Sequence, residues 1–235
     1  MTGCLLATSL LLSGCVPEPV KWEKEDRAAA NMLPGSRLVF DSAGVPGVIA
    51  GWVPPLEPSG EICAESFVAT QARGDTAFAA WWSPRQAGRV MLLSARSDDG
   101  GLNWRAPEVA DSTDRGTTGC KRLPPFVTAD TVNGYVHIVY HMVAKEGPGV
   151  FFTHSMSGGS MFHEAVPIVY GERASAAAVA SHGDTVAVAF EDPNAADAQL
   201  WLAISTSAGH IFERRTAVSS SSVRASHPAV ALRGI

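Results

Sequence analysis

The sequence predicts an all-β fold that is built from repeated four-stranded units. Of its 235 residues, 22 are glycine and 15 are proline, a turn-rich composition that suits many short strands. Three segments align with one another along the chain, which identifies an internal repeat. No stretch has the periodicity of an amphipathic helix. These observations together favour an all-β fold over a helical or a mixed one.

Each copy of the repeat contains a turn, and an aligned serine follows 22 or 23 residues after the turn begins. The turns have sequences that favour tight β-turns, namely Gly74-Asp75, Asn133-Gly134 and Gly183-Asp184. An aromatic residue lies seven residues after the start of each turn, at Trp81, Tyr140 and Phe190. Such agreement across three copies indicates one structural unit that is used three times.

Each unit is predicted to be a meander of four strands. A strand of small residues precedes the turn (67–69, 126–128, 176–180), and a β-branched or aromatic strand follows it (76–81, 135–140, 185–190). The third strand comes after a loop (90–93, 150–153, 200–204), and the fourth comes after the aligned serine. A four-stranded repeat of 50 to 59 residues is typical of a β-propeller blade.

The two ends of this repeat array are incomplete. Residues 36–60 contain two short apolar runs, 37–40 and 48–52, and residues 226–232 resemble the first strand of another blade. The sequence therefore predicts a partial β-propeller over residues 36–235, with about three blades plus that strand. Either the chain is part of a longer propeller, or partial propellers associate through their exposed blade edges.

The aligned serines open a recurring motif. In the first copy, residues 97–104 fit the pattern S-x-D-x-G-x-x-W completely. The second copy (155–162) and the third (205–212) keep the serine, glycine and aromatic positions but have Ser157 and Ser207 in place of the aspartate. In these three serine motifs, an aspartate or serine side chain can accept bonds from turn N–H groups, while glycine supplies unusual backbone dihedrals.

The motif resembles the Asp box, or bacterial neuraminidase repeat, of sialidases and related propellers. Those propellers have six blades, and their boxes lie between the third and fourth strands, on the face opposite the ligand site. The resemblance covers residues of about 60 to 235. It implies that the motif positions are structural and that Asp99 is not a catalytic acid. The motif positions are Ser97, Asp99, Gly101, Trp104, Ser155, Gly159, Phe162, Ser205, Gly209 and Phe212.

Basic residues precede three successive first strands, at Lys121 or Arg122, at Arg173 and at Arg224. Sialidases bind the substrate carboxylate with an arginine triad, because guanidinium groups pair bidentately with carboxylates. The segment 121–124, Lys-Arg-Leu-Pro, resembles the Arg-Ile-Pro motif near one such arginine. The resemblance implies that these three arginines bind ligand. The alternative is that they are ordinary loop arginines paired with nearby acids.

A sialidase also needs a nucleophilic tyrosine that a glutamate activates, together with an acid/base residue. Tyr170, with Glu172 close by, is the one candidate pair on the predicted ligand face. This single pair does not make a complete catalytic set, so the sequence leaves the presence of catalysis open. No Ser-His-Asp, phosphate-loop or zinc spacing is found, and we therefore expect no metal site and no cofactor.

The N-terminus has the features of an export signal. An apolar run over residues 5–12 is too short to span a bilayer and ends in Leu12-Ser13-Gly14-Cys15. This resembles a bacterial lipobox and implies a signal peptide over 1–14, lipidation of Cys15 and a polar tether over 15–35. Val16 follows the cysteine at a position where an aspartate would resemble an inner-membrane retention signal, so this resemblance favours the outer membrane or the cell surface. An ordinary signal peptide and a buried apolar strand are the alternatives, since residues 1–14 contain no Lys or Arg.

The remaining two cysteines, Cys63 and Cys120, both lie just before the first strand of a blade, in consecutive repeats. First strands of neighbouring blades converge on a propeller axis, and export leads to an oxidising compartment. We therefore expect a disulfide between them, with Cα atoms within roughly 7 Å. The alternative is a pair of free or buried thiols.

Composition and motifs together lead to two functional hypotheses. A net charge of −5 without a basic block argues against nucleic acid as a partner. The first hypothesis is a surface-anchored sialidase-like propeller that binds a carbohydrate or a surface protein and meets the membrane only through its lipid. The second is the N-terminal part of an exo-α-sialidase-type glycoside hydrolase.

Overall fold

The computed structural model describes residues 61–63, 65–116, 119–220 and 224–232, together with the backbone of two strands near the N-terminus. Those two strands, β1 (Arg37–Phe40) and β2 (Pro46–Ala50), pair as an antiparallel hairpin. Twelve further strands follow, with one short 3-10 turn at Gln86–Gly88. The described part of the chain contains no α-helix, which confirms the all-β prediction.

Three four-stranded antiparallel sheets form the body of the protein, and each is a meander in which neighbouring strands are consecutive in sequence. Blade 1 contains β3 (Val68–Gln71), β4 (Ala77–Pro84), β5 (Val90–Ser97) and β6 (Glu108–Asp111). Blade 2 contains β7 (Phe126–Ala129), β8 (Val136–Val143), β9 (Pro148–Ser155) and β10 (Val166–Tyr170). Blade 3 contains β11 (Ala177–His182), β12 (Thr185–Glu191), β13 (Leu200–Ser205) and β14 (Arg214–Ala217). The four strands predicted for each of the three blades are all present, and the three sheets do not close into a ring.

The hydrophobic core lies between the blades. Blade 1 and blade 2 share one cluster, which includes Trp82, Ile138 and Tyr140. Blade 2 and blade 3 share another, which includes Val139 and Phe190. Because β8 is covered on both faces, its residues 136–140 are all buried, and apart from His137 they form an apolar run rather than an alternating one.

The first strands of the blades surround a central cavity of about 610 Å³. Its wall is formed by residues 68–70, 126–128, 179–181 and 230–232, and none of these is charged. The last of these segments belongs to the predicted first strand of another blade. Within 224–232 no residue is in a strand, yet 230–232 line the same cavity as β3, β7 and β11.

The serine motifs occupy the turns between the third and fourth strands, as predicted, and they share one hydrogen-bond pattern. The buried serine Oγ accepts a bond from the N–H of the motif glycine, over 2.7 Å in the first motif (Gly101), 3.0 Å in the second (Gly159) and 3.1 Å in the third (Gly209). In the first motif, Asp99 also accepts bonds from the backbone and side chain of Asn103. The two motifs that lack the aspartate therefore keep the essential turn.

The motif glycines also form the contact between successive blades. A Cβ atom placed on Gly159 would lie 3.1 Å from the Phe78 ring of blade 1, and one on Gly209 would lie 2.4 Å from the Phe152 ring of blade 2. The second and third motif turns thus pack directly on an aromatic side chain of the preceding blade. Glycine is required there because no larger residue leaves room for the ring.

We expect Gly209→Ala to destabilise the protein by about 2–3 kcal/mol. Its φ of +93° strains any L-residue, and the new methyl group would overlap the fully buried Phe152 ring. Gly183→Ala is the matched control, because Gly183 also has a positive φ but nothing lies within 4 Å of its Cβ position. Chemical denaturation of both variants measures the two losses of stability. Equal losses would contradict the close contact between Gly209 and the Phe152 ring.

The disulfide prediction is confirmed. Cys63 and Cys120 are bonded, and their Cα atoms are 5.0 Å apart. The Cys63 N–H donates to the carbonyl oxygen of Trp82 over 2.8 Å, which fixes this cysteine beside β4. The bond therefore joins the segments that lead into blade 1 and blade 2.

Candidate functional site

Arg122, the best-supported of the three predicted ligand arginines, lies between blade 1 and blade 2. Its side chain is 8% exposed, and its Nη2 atom is 3.1 Å from Asp114 Oδ2. Its Nε donates to the carbonyl of Gly119 over 2.9 Å, and its guanidinium carbon lies 4.6 Å from the centre of the Trp82 ring. These contacts leave little of the guanidinium accessible to a ligand.

Other buried polar contacts lie close to this ion pair. Asp114 accepts a second bond from the backbone N–H of Val143. Nearby, the Tyr140 hydroxyl donates to Asp111 Oδ2 over 2.5 Å, and its ring packs edge-on against Trp82. Burial, and secondarily the Asp111 carboxylate, raise the pKa of Tyr140 well above its usual range, so the hydroxyl remains a donor.

The other two arginines are in different surroundings. Arg173 is partly buried, and its Nη2 donates to the carbonyl oxygen of Asp192 over 2.6 Å. Arg224 is exposed. None of the three predicted arginines lines the central cavity, so within the described residues they do not converge on it as a triad.

Tyr170 lies at the end of β10 and is 43% exposed. Its ring packs edge-on against Phe151, with centroids 5.7 Å apart. Glu172 is exposed on the following loop, and no hydrogen bond joins the two side chains in the described part of the chain.

Tyr170 borders a groove of about 600 Å³ between β6 of blade 1 and the outer strands of blade 2. Charged residues of both signs line it, including Arg115, Lys145 and Glu146. Apolar groups such as Phe151 form other parts of the wall. The groove, defined by these residues and Tyr170, therefore offers an aromatic surface next to hydrogen-bonding groups, a combination common in ligand sites.

A second feature, which sequence reasoning missed, is a cluster of histidines between blade 2 and blade 3. The ring of His154 is 4.4 Å from that of His163 and 4.6 Å from that of His210, centroid to centroid. His154 is buried, whereas the other two are exposed, and each ring offers a nitrogen within 4.8 Å of the others. We expected no metal site because these residues form no local motif. The aligned repeats contain one signal that could have indicated this cluster. His154 directly precedes the second serine motif, and His210 lies within the third.

Burial dominates the titration of the two innermost histidines. Desolvation lowers the pKa of His137 to about 4, and the nearby Asp130 carboxylate and Ala208 backbone oppose it only in part. Desolvation lowers the pKa of His154 to about 3, helped by the adjacent His163 and His210. Neither His137 nor His154 has a hydrogen-bond partner for its ring nitrogens.

We expect the protein to lose stability as the pH falls from about 6.5 to 4. His137 stays neutral in the folded protein but takes up a proton below pH 6.5 once unfolded, so its contribution is complete above pH 6.5. The free energy of unfolding should fall by up to about 1.4 kcal/mol per pH unit in this window from His137.

Denaturant titrations of metal-free protein in EDTA check this pH dependence. His137→Phe should reduce the slope of the unfolding free energy against pH by up to about 1.4 kcal/mol per pH unit. His182→Ala, which changes an exposed histidine, should leave this slope unchanged. A slope that is the same in His137→Phe and in the wild type would contradict the assignment.

Several predicted features lie outside the described residues. These are the signal peptide over 1–14, Cys15 and the tether over 15–35. Among the residues that the structure describes, no helix has the length and apolar character needed to cross a membrane.

Comparison with known proteins gives structural similarity alone. No protein-family model matches the sequence, and no curated protein matches it.

A sialidase described as Hadza microbial sialidase Hz136 aligns with 62% of the chain at 14% identity and a TM-score of 0.44. The NanB sialidase from Streptococcus pneumoniae aligns with 75% of it at 6% identity and a TM-score of 0.33. A protein of unknown function from Dyadobacter fermentans aligns with 75% at 14% identity and a TM-score of 0.38. The chain spans only 35%, 55% and 57% of the lengths of these three proteins.

Proposed function

We propose that this chain is a sialidase-like propeller module that binds a ligand at the cell surface rather than hydrolysing it. The observation that supports this most is the position of Arg122. Its guanidinium is paired with Asp114 and stacked on Trp82, so it serves the boundary between two blades. A triad arginine would instead present its N–H groups to a substrate carboxylate.

The groove beside Tyr170 is the binding site that the geometry favours. Tyr170 presents a partly exposed ring, and Phe151 supports that ring from the side. Charged groups at Arg115, Lys145 and Glu146 supply donors and acceptors around it. An aromatic surface bordered by polar groups suits a glycan, because a sugar ring has an apolar face and hydroxyl groups at its edge. A peptide of a surface protein is the second candidate.

The test is a binding measurement on an array of sialylated and non-sialylated oligosaccharides, followed by titration of the oligosaccharide that binds best. Tyr170→Ala should weaken binding about tenfold or more, while Tyr170→Phe, which keeps the ring, should change it by less than about threefold. Phe126→Ala is the matched control, because Phe126 is 42% exposed but lies at the central cavity.

Three outcomes would count against a glycan that stacks on the Tyr170 ring in the groove. Absence of binding to every oligosaccharide on the array would exclude a glycan of the tested classes. Loss of affinity in Phe126→Ala instead of Tyr170→Ala would move the site to the central cavity. Equal loss in Tyr170→Ala and Tyr170→Phe would mean that the hydroxyl, and not the face of the ring, makes the contact.

The second candidate function is the N-terminal part of an exo-α-sialidase-type glycoside hydrolase. The exposure of Tyr170, which borders a groove large enough for a sugar, supports this alternative. Glu172 would then have to approach the Tyr170 hydroxyl, with further catalytic residues supplied by other blades.

Anchoring is the other part of the proposal and rests on the lipobox-like residues 12–15. Cys15 would carry the lipid, and residues 16–35 would hold the propeller away from an outer-membrane or cell surface. Cys15→Ala should then leave the protein unprocessed or release it from membrane fractions. Unchanged membrane partition, with a mature N-terminus elsewhere, would contradict this.

A further inference from the structure

We propose that His154, His163 and His210 bind one divalent transition-metal ion of the zinc class at the boundary between blade 2 and blade 3. His154 belongs to β9, and His163 follows the second serine motif, so blade 2 supplies two ligands. His210 belongs to the third serine motif, so blade 3 supplies the third ligand.

The first argument for a metal is the state of His154. The residue is 2% exposed, and neither ring nitrogen has a hydrogen-bond partner. Buried polar groups without a partner are rare, because leaving one unsatisfied is costly, and a bound ion or water commonly accounts for such a group. A metal ion among the three rings would bind the lone pair of one His154 nitrogen.

The second argument is the orientation of His210. Its Nδ1 lies 2.7 Å from the carbonyl oxygen of Ser207. A carbonyl only accepts hydrogen bonds, so Nδ1 must carry a proton, and in the neutral ring Nε2 then carries the free lone pair. A backbone carbonyl that holds one imidazole nitrogen in this way is the usual second partner of a metal-binding histidine.

The ligand types define the class of metal. Three imidazoles suit Zn²⁺, Cu²⁺ or Ni²⁺, whereas Ca²⁺ and Mg²⁺ need carboxylate or carbonyl oxygens. With three protein ligands, a tetrahedral Zn²⁺ ion would keep one position for water. Tetrahedral bonding needs nitrogens roughly 3.3 Å apart, closer than the 4.8 Å limit here. Rotation of the exposed His163 ring, with a small shift of His210 that keeps its bond to Ser207, would close that distance.

A metal at this position would connect two blades, and binding to the folded state alone would raise its stability. We expect about one Zn²⁺ per chain, with a melting temperature raised by roughly 5 to 10 °C when free zinc is about 100 times Kd. Ca²⁺ and Mg²⁺ should produce neither effect.

The test is calorimetric titration of Zn²⁺ into the full chain, prepared without an affinity tag, stripped with EDTA and then dialysed. His163→Ala and His210→Ala should each weaken binding at least tenfold, and the double variant should abolish it. Both residues are exposed, so their removal should leave the fold intact. His182→Ala, an exposed histidine of β11, is the matched control and should bind as the wild type does.

The same titration contains the results that would overturn the proposal. Absence of saturable Zn²⁺ binding to the wild-type chain would do so, as would an equal loss of affinity in His182→Ala. Zinc held elsewhere in the chain, at Cys4 or Cys15, would bind the double variant as tightly as it binds the wild type. Persistence of the full wild-type affinity there would exclude the histidine site.

Discussion

Arg122→Ala is expected to destabilise the folded protein by about 3–5 kcal/mol. Asp114 is buried, and removal of its cation would leave an unpaired carboxylate between blade 1 and blade 2. The substitution also removes the guanidinium that packs on Trp82. Urea denaturation of the full chain measures the loss, which should appear as an earlier midpoint with an unchanged m-value.

Two variants make the Arg122 measurement specific. Arg115→Ala removes an exposed arginine next to Asp114 and should change the free energy of unfolding by less than about 0.5 kcal/mol. Arg122→Met combined with Asp114→Asn should recover much of the loss, because the neutral amide still accepts the bond from Val143. If Arg122→Ala unfolds like the wild type but no longer binds ligand, the arginine serves the ligand site instead of the fold.

Loss of the Cys63–Cys120 disulfide is expected to cost about 4 kcal/mol. The bond closes a loop with a sequence separation of 57, and the chain-entropy relation assigns roughly that value to a loop of this length. It also joins the segments that enter blade 1 and blade 2. The double variant Cys63→Ala with Cys120→Ala, compared with the wild type by urea denaturation, measures the effect.

Reduction supplies an independent check of the same quantity. Dithiothreitol should lower the stability of the wild type to that of the double variant and should leave the double variant unchanged. A wild type that is insensitive to the reductant while its thiols become titratable would show that the bond does not stabilise the fold.

Most of the fold could be predicted because its signals are local in sequence. The turns at 74–75, 133–134 and 183–184 and the aligned serines fix the length and order of the strands in each blade. The disulfide followed from the repeats as well, because Cys63 and Cys120 hold similar places in consecutive copies. These local signals describe the strands within a single blade and carry no information about how neighbouring blades pack.

The contacts between blades could not be predicted in the same way. The pairing of Arg122 with Asp114 needs the side-by-side placement of two blades, and the sequence equally allowed an arginine that faces ligand. The packing of Gly209 on Phe152 joins residues far apart in the chain. The histidine cluster was missed for this reason, since His154 and His210 meet only when blade 2 and blade 3 are together.

The central claim, that the propeller binds its ligand without hydrolysing it, is tested most directly by an assay for sialoside hydrolysis with the purified full chain. We predict no release of free sialic acid above that of a buffer control, because Arg122 is paired with Asp114 and Tyr170 lacks a bonded glutamate among the described residues. Sustained hydrolysis by the wild type that is abolished in Tyr170→Phe would contradict the account and would identify the chain as part of a sialidase.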